Sequence, residues 1–158
     1  METVTIAQLR ERFELALRIR DRVTAANEAV IEIRRIKGDV DDRLEQTDDN
    51  AIHDQGGLVN ANLSGVEEEI YQVRNQSGQD PLNYPIKLNN KLASLMGLVE
   101  RGEAAPTEQS YQVFESLSAT LQTELIRMNT IIDQDLRRLN ELLSEAGLDP
   151  IEIKDLIG

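Results

Sequence analysis

The chain contains no cysteine and no tryptophan, and only two Phe and three Tyr among 158 residues. The lack of cysteine excludes disulfides, thiolate metal sites and a cysteine nucleophile. The scarcity of rings leaves Leu, Ile, Val and Ala to build the core, a set that suits helix-on-helix packing better than strands. Lys and Arg are also few, 17 against 29 acidic residues, for a net charge of −12. A net charge this acidic argues against a nucleic-acid partner, which requires a surplus of cations facing phosphate. It equally disfavours docking on an anionic bilayer. No apolar run approaches the roughly 18–20 residues of a membrane span, and "METVTIAQLRERF" does not have the build of a signal peptide.

The charge is unevenly spread. Residues 1–43 are neutral, with nine basic and nine acidic side chains, whereas residues 44–158 hold eight basic and 20 acidic ones. The first segment is therefore the relatively basic partner of an acidic remainder.

Helical periodicity dominates what is present. Thr5-Ile6-Ala7-Gln8 fits a capping box, and apolar residues recur at Leu9, Phe13, Ala16, Leu17, Val23, Ala26, Val30, Ile33, Val40 and Leu44. This predicts one long helix over 5–46. The polar stretch "TDDNAIHDQGG" (47–57), ending in two glycines, reads as a loop. Ser64-Gly65-Val66-Glu67 reads as a second capping box opening a short helix over 64–75. A further short helix is predicted over 85–101, with Asn83 as its cap and Pro85 in its first turn. The last helix, 107–146, carries the most regular stripe: Phe114, Leu117, Leu121, Leu125, Met128, Ile132, Leu136, Leu139 and Leu143. Its eleven-residue period predicts a nearly straight seam. Gly147, Leu148 and Pro150 mark its end.

These segments predict a single all-α domain over 1–158, an elongated up-down-up-down four-helix bundle with two long and two short helices. The short pair would cover only part of the long pair, leaving a two-helix stalk suited to homodimerisation.

Chemistry is harder to find. His53 is the only histidine, and its acidic neighbours Asp48, Asp49 and Asp54 match neither a calcium loop nor a zinc motif. Glu67, Glu68 and Glu69 read as dipole-complementing residues at a helix start. Gly56-Gly57 lacks the Lys-Ser/Thr of a phosphate loop. A di-iron bundle needs more than one histidine. No catalytic residue, metal ligand or cofactor site is predicted. The stretch "DPLNYPIKLNNKLASL" raises a different question, because Asn89 and Asn90 are poor helix formers within an apolar helix. They read as register-fixing polar residues, bonded across the bundle with Tyr84 or Tyr111, or as an interaction site together with Asn83.

"DPLNYPIKLNNKLASLMGLVERGEAAPTEQSYQVFESLSATLQTEL" resembles the C-terminal helical region of large bacterial sortilin-like, BNR-repeat proteins that carry a glycosyl hydrolase label. "TIAQLRERFELALRIRDRV" and "LNELLSEAGL" are similar to the start and end of that region. The resemblance implies a helical piece excised from the C-terminus of an exported bacterial parent, periplasmic or extracellular. That piece would pack against the parent's β-propeller or mediate assembly with another protein or a second copy. It implies no enzymatic residue in this chain, since any hydrolase activity would lie in the propeller. A stand-alone cytoplasmic coiled-coil adaptor fits the composition as well. A share in a glycan-acting enzyme would require an acidic pair in a ring-lined cleft.

Overall fold

A computed structural model of the protein describes residues 3–71, 87–102 and 104–154. Within them the chain is all-helical. The helices are α1 (Ile6–Leu44), α2 (Asn50–Ile70), α3 (Leu88–Arg101), α4 (Glu108–Ile131) and α5 (Arg137–Glu145), with a π-helical turn, Ile132–Leu136, joining the last two.

The capping box at Thr5 is present. Gln8 N–H donates to Thr5 Oγ1 at 3.1 Å, and Thr5 N–H donates to Gln8 Oε1 at 2.9 Å. The second expected box is not a cap. Ser64 and Glu67 lie inside α2, which begins fourteen residues before Ser64, at Asn50, and runs through the segment expected to be a loop. Asp49 is the true cap, accepting from Ile52 N–H at 3.2 Å. The paired glycines do not break the helix. A Cβ on Gly56 would stand 2.8 Å from Leu44 Cδ2 and 3.2 Å from Val40 Cγ1, so glycine there lets α2 press close to α1.

Residue pairings fix the helix directions. Arg34 and Lys37 of α1 reach Glu67, Asp41 accepts from Asn60, and Leu44 meets Gly56, so α1 and α2 are antiparallel. Arg18 lies over the Phe114 ring, and Arg22 donates to Ser118 O and Gln122 Oε1, so α1 and α4 run in the same sense. The end of α3 lies beside the start of α1, where Arg12 donates to Gly102 O. The long contact of α3 with α1 then requires the two to be antiparallel.

The expected up-down-up-down order is therefore corrected. One long rail is α1, and a second, parallel to it, is α4 with α5. α2 and α3 share the remaining flank, α2 on the C-terminal half of α1 and α3 on its N-terminal half, with only slight contact between them. No bare two-helix stalk remains among the described residues, because α3 occupies the place where it was expected.

The core is one aliphatic cluster running along all the helices, from Leu15 and Ile19 to Leu139 and Leu143. The predicted α4 stripe is buried throughout except Leu117, which is partly buried. At the π turn one extra residue enters the seam, so Ile131 and Ile132 are both buried. Asp135 O in this turn accepts from Gln55 Nε2 at 2.9 Å, and Asp135 Oδ2 accepts from Asn62 Nδ2 at 3.1 Å, tying the turn to α2. Gly147, at φ 76°, ends α5. Leu148 N–H donates to Leu143 O and Gly147 N–H to Ser144 O, the two bonds of a Schellman motif.

After this cap the chain folds back along the bundle. Asn140 holds both backbone polar groups of Ile151, donating to Ile151 O at 3.0 Å and accepting from Ile151 N–H at 2.7 Å. Arg43 donates to Asp149 O and Arg35 to Glu152 O. The Ile151 side chain is buried in the core.

Candidate functional site: an apolar groove on the first helix

α1 has two apolar faces over its first four turns. Leu15 and Ile19 point into the core. Ile6, Leu9 and Phe13, at helical spacing on a separate face, are exposed at 78%, 42% and 62%. This splits the stripe read from the sequence: Leu9 and Phe13 are surface residues, and the core positions on these turns are Leu15 and Ile19.

Leu9, Arg12, Phe13, Ala16, Leu17, Arg20 and Glu100 enclose a groove of about 490 Å³ between α1 and α3. Its floor is apolar and its rim is charged. The capping box holds the first turn of α1 in place, so Ile6 and Leu9 sit on formed helix. Phe13 is one of only two phenylalanines; the other, Phe114, is buried with the Arg18 guanidinium 4.9 Å above its ring. A contiguous exposed apolar face with a charged rim is the composition of an interaction surface.

The residues singled out from the sequence do not form one site. Asn89 is buried at the start of α3, and its Oδ1 has no hydrogen-bond partner among the described residues. Asn90 is exposed, so it is not a register lock within the bundle. Tyr111 is partly buried against the core. Asn83, Tyr84 and the expected cap of the third helix lie outside the described residues.

Glu67 is the one buried acid among the described residues. Burial pushes its carboxyl pKa up, but hydrogen bonds from Arg34 at 2.8 Å and Lys37 at 3.1 Å, with their charges, outweigh this and hold it below the usual carboxylate range. Arg34 also stacks 5.1 Å from the centre of the Tyr71 ring. A carboxylate kept ionised by two cations is a strut between α1 and α2, unsuited to proton transfer near neutral pH. His53 is exposed on α2 and its Nε2 lies 2.6 Å from Thr47 O. Among the described residues no three His, Asp or Glu side chains are grouped to hold a metal, and no helix is long and apolar enough to cross a membrane.

The fold and groove together define an all-α bundle with an unpartnered apolar face. Compared with known proteins, the chain matches no family model, no curated protein and no solved structure.

Proposed function

We propose that this chain is a non-enzymatic helical interaction module that joins proteins through the first turns of α1. The observation that carries this is the exposed Ile6–Leu9–Phe13 face, set on capped helix and separate from the core residues Leu15 and Ile19. Burying such a face stabilises a complex by about 25 cal/mol per Å² of apolar area, offset by the cost of association. The resemblance noted above supports placing the module within a larger exported bacterial protein, where it would serve assembly or pack against a β-propeller.

A photo-crosslinking residue at position 13 of the full chain, in the producing cell, tests the proposal. Protein adducts are expected from position 13 and not from the exposed position 145 at the far end of α5. Equal yields from the two positions, or none from position 13, would remove its basis.

A further inference from the structure

We propose that the α1 groove is a self-association site. A second copy of the chain lies antiparallel across it, with the two-fold axis near Arg12. This deepens the interaction-module reading and rests on it. Two observations select a second copy over another occupant.

The first is self-complementary shape. The groove residues are both knob and hole. Phe13 stands out from the surface, and the short side chain of Ala16 leaves a gap on the same face. An antiparallel copy centred at Arg12 places Phe13 against the partner's Leu9 and Phe13, and places Leu9 over the partner's Ala16. Ile6 then falls over the partner's Leu17. A two-fold interface requires that one patch match itself.

The second is charge on the flank. Arg10 and Glu14 are one turn apart on the same side of the Leu9–Phe13 stripe. Both are exposed, and neither takes part in an ion pair among the described residues. Antiparallel helices bring like flanks together. With the axis halfway between these positions, Arg10 faces the partner's Glu14, and the reciprocal pair forms on the other side of the axis. A parallel pairing would not match them in this way.

Sedimentation equilibrium of the full chain is the test, together with four variants. The wild type is expected to reach twice its 17.8 kDa at concentrations on the order of 0.1 mM. Phe13→Glu is expected to be monomeric with an unchanged circular-dichroism melt at low concentration, since this side chain is exposed. Arg10→Glu and Glu14→Arg are each expected to weaken the dimer roughly tenfold, by turning two attractive pairs into repulsive ones. The double variant Arg10→Glu/Glu14→Arg is expected to recover wild-type association, and an equimolar mixture of the two single variants to form the mixed dimer. A monomer throughout, a dimer indifferent to Phe13→Glu, or single variants that the double does not rescue would each overturn the proposal. A monomeric chain that still crosslinks from position 13 to a different protein would leave the interaction module standing and remove only the second copy.

Discussion

Gly56 and Leu44 touch so closely that a methyl group on Gly56 would stand 2.8 Å from Leu44 Cδ2. Gly38 and Gly57 are also glycines in the middle of helices, but nothing lies within 4 Å of a Cβ at either. The three therefore separate two effects. Gly38→Ala and Gly57→Ala should each stabilise by up to about 1 kcal/mol, because alanine is the better helix former and the space is open. Gly56→Leu should destabilise by roughly 1–3 kcal/mol or more through overpacking against α1. Urea midpoints of the three variants check this, and similar shifts at all three positions would contradict the close approach.

Glu67 gives the bundle a defined response to acid. Its folded-state pKa lies below that of the unfolded chain, so the native state binds the proton more weakly. The resulting stability is present above the ordinary glutamate range, near ~4.3, and is lost as pH falls through the lower folded value. Glu67→Gln should cost roughly 1–3 kcal/mol at neutral pH, where hydrogen bonds to a charged group are lost. The gap between wild type and variant should close below about pH 4. A gap independent of pH, measured by denaturant titration from neutral to about pH 3, would show that Arg34 and Lys37 do not hold the charge.

Asn140 makes both of its bonds to the backbone of a single residue, Ile151. Asn140→Ala should free the returning chain at a cost of roughly 1–3 kcal/mol, since a partly buried N–H and C=O lose their partners together. Hydrogen exchange at the Ile151 amide should accelerate strongly while the amides of α1 and α4 stay protected. Unchanged protection at residue 151 would mean that Arg35 and Arg43 suffice to hold the segment.

Leu125 is buried in the α4 seam, whereas Thr123, two residues earlier, is exposed. Leu125→Asp should cost about 4 kcal/mol or more by burying an unpaired charge, and Thr123→Asp should stay within about 0.5 kcal/mol. Thermal unfolding of the pair distinguishes them, and equal melting temperatures would place Leu125 on the wrong face.

Where periodicity and caps agree, the fold is legible in the sequence. Thr5 with Gln8, the stripe from Phe114 to Leu143, and the Gly147 stop are all local patterns that the fold keeps, the stripe gaining Ile131 at the π turn. Sequence and structure part at residues whose role is set by a distant neighbour. Gly56 reads as a breaker until Leu44 is seen against it. Ser64 and Glu67 have the spacing of a cap, but Asp49 already starts that helix, and Glu67 answers to Arg34 and Lys37 some thirty residues away. The groove is half-visible: Leu9 and Phe13 read as apolar, yet only the competing stripe at Leu15 and Ile19 shows that one of the two faces must point outward. The Asn140 clamp and the π turn leave no mark, because neither follows from spacing alone.

Laying α2 and α3 nose to tail on one flank has a thermodynamic consequence. Each short helix stabilises a different half of α1, yet α1 is continuous through 39 residues, about 60 Å at 1.5 Å per residue. Neither half can melt without fraying a rod that the other half still grips. Heat should therefore take the whole molecule apart in one cooperative step, and a domain with two separate partial coats behaves as a single folding unit.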